Sequence, residues 1–318
     1  MPKLTTFLKI IKKNYSKRLF WRGSLAFRFL LVALGLALTI RLHGALAVKS
    51  SPQPIPTTPQ RIITLAPSVT ETFFALDLGQ KVVGRTRYCQ YPQGVLDLPI
   101  VASFSQLNYE SIIRLKPDLV ALPTDRSMDK TRLERLGLAV LPLDTRSLTG
   151  FRQGVEILGQ KLNRAQKAQE ILAKIDQSAQ KARRQSQGRV RPRVLFSVMR
   201  DYEGLGYISE INAVGRDGFY DQILAITGAE NAYQGPLAFP RLSRESIIFL
   251  NPDIIVDIIL NVENLEEVQK DWLSLTAVKA IQNRRVHLLT EQSDTVPGPR
   301  IYLTIDRLAN FFHPVSRS

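Results

Sequence analysis

Two carboxylates stand out because they occupy the same place in two copies of one stretch. Leu107 to Val120 returns as Leu242 to Ile255 with eight of fourteen positions identical, and Glu110 and Glu245 are the fourth residue of each copy. Each falls near an expected helix start, where the dipole favours a carboxylate, and where an exposed carboxylate can take a guanidinium in a bidentate pair. The plainer alternative is that both merely complement the dipole. Catalytic patterns are missing: there is no G-x-S-x-G elbow, no phosphate loop ending in Gly-Lys-Ser/Thr and no H-E-x-x-H, and Gly204-Leu205-Gly206 lacks the third glycine of a dinucleotide fingerprint. No catalytic residue is therefore nominated. Beyond the first 47 residues only His287 and His313 remain, too few for a three-histidine site, so no metal ligands are nominated either. Cys89 is the sole cysteine, which rules out an intramolecular disulfide and leaves it as a small packed side chain.

The elements that must position these carboxylates follow from the repeat. Each copy has a Glu near a helix start, apolar residues at helical spacing, a Pro that ends the helix and a β-branched run that reads as a strand. Two copies are too few for a solenoid and suit two related lobes. The first lobe opens with a strand at Arg61 to Ala66. Pro67 and Ser68 then start a helix carrying Phe73, Phe74 and Leu76 on one face, with Gly79 as its stop. Strand and helix alternate to Leu143, which predicts a small parallel or mixed sheet with helices on its faces. Ser68-Val69-Thr70-Glu71 reads as a capping box, which accounts for Glu71 as a helix-start residue.

From Phe151 to Ala182 the apolar spacing is helical, with an interruption at Asn163. A continuous piece from Arg164 to Gln187 would be about 35 Å long, enough to run between lobes as a rod. The basic cluster at its end, Lys181 to Arg193, reads as a solvated face. The second lobe begins with a strand at Val194 to Val198. A turn at Gly204 and Gly206, a helix near Gly218 to Thr227, the second repeat copy, a strand at Val286 to Leu289 and a closing helix from Ile301 follow. The expected organisation is residues 1–47 as an export signal, 48–60 as a Pro-rich linker, 61–148 as the first α/β lobe, 149–189 as the connecting helical segment and 190–314 as the second α/β lobe.

The formal charge is +15, yet residues 1 to 47 alone hold nine Lys or Arg and no acid, so the excess is no nucleic-acid signature. That segment has a long basic region, an apolar run of about twelve residues from Phe29 to Ile40, short of the roughly twenty that span a bilayer, and Ala45-Leu46-Ala47 as a cleavage pattern. Cleavage after Ala47 and a periplasmic location are expected, with an uncleaved anchor as the rival. Pro52, Pro54, Pro56 and Pro59 make the next residues an extended tether.

Taken in order, Arg61 to Glu71, Tyr88-Cys89-Gln90-Tyr91-Pro92, Leu115 to Val120, Gly228-Ala229-Glu230-Asn231 and Pro240 to Glu245 resemble the helical-backbone (class III) substrate-binding proteins of ABC importers. The likeness runs from Arg61 to Pro314 and is greatest to the cobalamin-binding branch of a family that takes up cobalamin, ferric siderophores and haem. It implies two Rossmann-like α/β lobes joined by one long interlobe helix, with ligand in the cleft between them, and no enzyme activity. It also implies a monomer with a membrane permease and ATPase as partners, a metal chelate as transported ligand rather than a resident cofactor, and no nucleic acid. Glu110 and Glu245 match the glutamates that pair with permease arginines. Tyr88, Phe104, Phe239 and Tyr207 match cobalamin-contacting aromatics, whose flat faces suit a macrocycle. Arg87 and Arg300 are expected to meet acidic groups of a ferric chelate, Arg300 having a structural role in its Pro-rich loop as the alternative. The sequence departs from the branch where Phe104 and Phe239 replace Trp and where Pro123 stands in place of a third Trp. These departures bear on which chelate is bound.

Overall fold

A computed structural model describes residues 53–103, 106–200, 206–259 and 264–314. The export signal expected at 1–47, its cleavage point, the turn glycine Gly204 and the aromatic Phe104 lie outside the described residues. The first sheet takes its strands from β1 (Ile62–Thr64), β2 (Val82–Thr86), β3 (Ile100–Ala102), β4 (Leu119–Pro123) and β5 (Val140–Leu143). They lie in the order β3-β2-β1-β4-β5 and all pairs are parallel. That order reverses direction between β1 and β4, the place where open α/β sheets put their ligand crevice. Helices α1 (Pro67–Ala75), α2 (Tyr109–Arg114) and α3 (Ser127–Arg135) make the crossovers. α1 stops before the expected Gly79: Asp77 takes the left-handed turn at φ 61°. Gly79 instead lets the Phe74 ring approach to within 2.3 Å of where a Cβ would stand.

The connector is a helical hairpin of α4 (Leu148–Lys161) and α5 (Ala165–Ser186). Asn163, at φ 54°, makes the break between them as its position in the apolar pattern predicts. The 22 residues of α5 give a rod of about 33 Å.

The second sheet is mixed. β6 (Arg193–Arg200) and β7 (Glu210–Ala213) lead through α6 (Phe219–Ile226) to β8 (Glu230–Asn231) and β9 (Arg241–Ser243), then α7 (Arg244–Leu250) and β10 (Ile254–Ile258). α8 (Leu265–Leu273), α9 (Lys279–Gln282), β11 (Val286–Leu289), α10 (Gln292–Thr295) and α11 (Ile301–Phe312) close the chain's described part. The strand order is β11-β10-β6-β7-β9, with β8 beside β6. Only the β6–β7 and β7–β9 pairs are antiparallel.

One continuous apolar core crosses both sheets. It includes Ile62 and Leu119 of the first lobe, Phe151 and Ile175 of the hairpin, and Val194, Ile254, Leu289 and Ile305 of the second. Shared burial of this kind ties the lobes together through α5, since neither could lose contact with the rod without exposing apolar surface. The Pro-rich tether joins this body at its end, where Ile55 packs against the core and Pro59 is buried. Among the described residues no helix is long and apolar enough to cross a membrane.

Candidate functional site

The repeat is reproduced in three dimensions down to its pins. Asn108 caps α2 by accepting from the Ser111 amide, and Ser243 caps α7 by accepting from the Ser246 amide. Asp118 accepts from the Arg61 amide at 3.0 Å and Asp253 from the Arg193 amide at 2.9 Å, each fixing the start of the lobe's first strand. The Arg61 side chain donates to the Leu115 carbonyl at 2.9 Å, and that of Arg193 to the Leu250 carbonyl at 2.8 Å. Lys116 and Asn251 both take left-handed backbone, φ 47° and 43°. Ile112 and Ile247 are fully buried, so the opposite face of each helix is the one that meets solvent. Glu110 and Glu245 are thereby exposed in the first turn of their helices. The Ser243 hydroxyl, 2.8 Å from Glu245, holds that carboxyl below the usual range.

The segments that follow the strand ends carry the contacts between the lobes. α1 leaves the end of β1, the Arg87 to Pro92 segment leaves β2, and the Val296 to Arg300 loop follows β11 and α10. Arg300 crosses to the first lobe: its Nε donates to Glu71 Oε2 at 2.8 Å and its Nη2 to Glu71 Oε1 at 2.6 Å. Its guanidinium also lies over the Tyr91 ring at 3.7 Å. This corrects the capping-box reading. α1 begins at Pro67 after Ala66, with no side-chain cap, and Glu71 is a buried carboxylate spent on an interlobe pair. Burial pushes its pKa up, and the hydrogen bond and charge of Arg300 pull against that rise. A bidentate fork of this geometry holds two surfaces in one relative orientation. Around it Phe74, Tyr91, Pro92, Ile171, Lys174, Tyr302 and Leu303 line a cavity of about 420 Å³.

The remaining nominated residues sit on loops of both lobes. Tyr88 follows β2 and is 48% exposed, Tyr207 lies between β6 and β7 at 48%, and Phe239 precedes β9 at 65%. Arg87 is exposed beside Tyr88. Arg300 has its Nε and Nη2 committed to Glu71, which leaves Nη1 for any other partner. Pro123 ends β4 and is buried. Cys89 is buried between α1 and β2, where the hydroxyls of Thr70 and Thr86 approach its sulfur at 3.0 and 3.1 Å.

A second buried ionic cluster lies at the end of β6. Arg200, the last residue of β6, donates to Asp257 at 2.9 Å, to Asp271 at 2.8 Å and to the Val268 carbonyl at 2.9 Å. The Trp272 indole donates to Asp257 at 2.8 Å. Burial raises the Asp257 pKa and the Arg200 charge opposes the rise. Sequence reasoning missed this cluster, although an Asp inside the aliphatic run Ile254 to Ile259 was a usable sign, because a buried acid requires a paired partner. Among the described residues no group of three or more His, Cys, Asp or Glu is placed to hold a metal ion.

Two α/β lobes joined by a helical hairpin and by the Glu71–Arg300 pair make a bilobal α/β fold. The sequence profile of the periplasmic binding protein family matches residues 62–293, and the chain belongs to that family. It is 28% identical to the uncharacterized ABC transporter substrate-binding lipoprotein YvrC of Bacillus subtilis (strain 168), over 80% of this chain and 81% of that protein. The periplasmic vitamin B12 binding protein BtuF of Vibrio cholerae shares the fold at 23% identity and a TM-score of 0.70, covering 83% of this chain and all (100%) of that one. So does a periplasmic heme binding protein from Pseudomonas aeruginosa, at 22% identity and a TM-score of 0.68, covering 81% and 94%.

Proposed function

We propose that this chain is the substrate-binding component of an ABC importer, and that it captures a metal chelate, cobalamin or a related corrinoid, between its lobes for delivery to a membrane permease and ATPase. The observation that carries this reading is the set of solvent-exposed aromatic rings on both lobes, Tyr88 on the first and Tyr207 and Phe239 on the second. Rings left this exposed mark a binding surface, and flat faces with few polar groups suit a macrocycle more than a small polar solute. Phe104 belongs to this proposed wall. Arg87, and the free Nη1 of Arg300, would meet acidic groups on the periphery of the chelate. The same positions serve a ferric siderophore or haem as the alternative ligand, and the heme-binding relative supports keeping it. Glu110 and Glu245 are the proposed permease contacts. Export through the N-terminal signal would place the protein in the periplasm as a monomer.

Titration calorimetry with cyanocobalamin, haemin and a ferric siderophore tests the reading. Stoichiometric heat with the corrinoid is expected, and Phe239→Ala should weaken it by about 1–3 kcal/mol if the ring is an anchor. Saturable heat with haemin or the siderophore alone would move the ligand within the family. Undiminished affinity in both Phe239→Ala and Tyr88→Ala would remove the aromatic wall from the account.

A further inference from the structure

The two copies of the repeat differ at six of fourteen positions, and the difference four residues after the carboxylate exchanges a cation for an aromatic ring. Superposing the copies places Arg114 of α2 against Phe249 of α7. In the first lobe Arg114 donates to Glu110 at 2.8 Å, four residues apart on one helix face, with both side chains mostly in solvent. In the second lobe the ring of Phe249 is 89% exposed, again four residues after the carboxylate; Ile248 beside it is 37% exposed, and its counterpart Ile113 in the first lobe is 48% exposed. Glu245 makes no ion pair among the described residues. Its neighbouring cation, Arg244, is turned onto Ser274, donating to the hydroxyl at 3.0 Å and to the carbonyl at 2.7 Å.

We propose that the Glu245, Ile248 and Phe249 face of α7 is the primary anchor on the permease, against a subunit surface that presents a guanidinium beside an apolar recess. The proposal rests on the docking reading given above and adds to it an apolar contact and an order of strength between the lobes. Charge complementarity selects the occupant: a carboxylate with no ion-pair partner among the described residues is available to a cation, and the phenyl ring one helical turn away gains from an apolar surface within the same contact. A buried aromatic ring beside a charge pair is the composition of an interface hot spot. The α2 face is the weaker contact, because Arg114 already holds one oxygen of Glu110 and meets a permease cation with like charge.

Site-specific photocrosslinking in cells tests this. Benzoylphenylalanine at position 249 should give a product that mass spectrometry identifies as a polytopic permease subunit, and Glu245→Arg should diminish it. The same probe at Val190, an exposed residue beyond the end of α5, should give none. In pull-downs from detergent-solubilised membranes, Phe249→Arg should lower permease recovery about tenfold or more, whereas Arg114→Ala should raise it by a few fold. Circular dichroism checks that each variant is folded. If the 249 product is a second copy of this chain or lipid alone, the anchor proposal is wrong. It is also wrong if Phe249→Arg leaves recovery unchanged while Glu245→Arg abolishes it, and the docking reading then survives. Permease recovery unaffected by Glu110→Arg and Glu245→Arg together would overturn the docking reading itself.

Discussion

The two lobes are built on one unit and finish it differently. In both, a capped short helix buries an isoleucine, a left-handed residue precedes Pro-Asp, and the Asp pins the backbone of the first strand. Around that skeleton the first lobe keeps an all-parallel sheet with aliphatic strands. The second adds antiparallel β7 and β9 and buries Arg200 among Asp257, Asp271 and Trp272. The skeleton sets where the carboxylates stand. What differs between the lobes, as Phe249 beside Glu245 stands where Arg114 pairs with Glu110, adds to what each can touch.

The largest expected effect lies in the second lobe alone. Arg200→Leu leaves two carboxyls buried without their cation and should cost about 3–5 kcal/mol in denaturant unfolding; a loss below about 1 kcal/mol would show that the cluster is dispensable. Next comes the pair that joins the lobes. Glu71→Ala strands the Arg300 guanidinium, whose side chain is 18% exposed, and that residual hydration reduces the expected loss to about 2 kcal/mol. Calorimetry should then show the single transition broadening as the lobes uncouple. The repeat itself is tested by a matched pair. Asp118→Ala and Asp253→Ala each remove a backbone pin and should cost about 1–2 kcal/mol, near enough equal that a difference larger than either loss would break the equivalence.

A further effect, in the second lobe, depends on pH. Within β11, burial and the nearby Arg285 lower the pKa of His287 from 6.5 to about 4, and the ring stacks on Phe311 at 4.2 Å. The unfolded chain therefore binds more protons than the folded one between those two values, so this group contributes a loss of stability as pH falls from 6.5 toward 4 and no change above. Comparing the urea midpoints of wild type and His287→Gln across pH 4 to 7.5 isolates the contribution. Parallel curves would show that His287 does not titrate differently on folding.

Much of this architecture was legible in the chain because it is local. The repeat, the Asn163 break, the long α5 and the closing α11 follow from periodicity and turn residues that act within a few positions. What escaped depends on distant partners. Glu71 satisfies a capping pattern as well as any helix-start acid, and nothing within ten residues shows that Arg300 will claim it from the other lobe. The antiparallel strands escaped because β7 and β9 are four and three residues long, too short for an alternation signal. Arg300 was read as either a ligand contact or a structural residue. The fork on Glu71 gives Arg300 a structural pair across the lobes, a partner that pattern reading could not supply.

Capture of a metal chelate between these lobes is the proposal from which the other functional expectations follow. The most direct measurement is the absorption spectrum of the protein after incubation with cyanocobalamin, haemin or a ferric siderophore and rapid desalting. The account expects the corrinoid bands to elute with the protein at one chelate per chain and to fall away in the Tyr88→Ala, Phe239→Ala double variant. Elution of the protein free of all three chelates would contradict it.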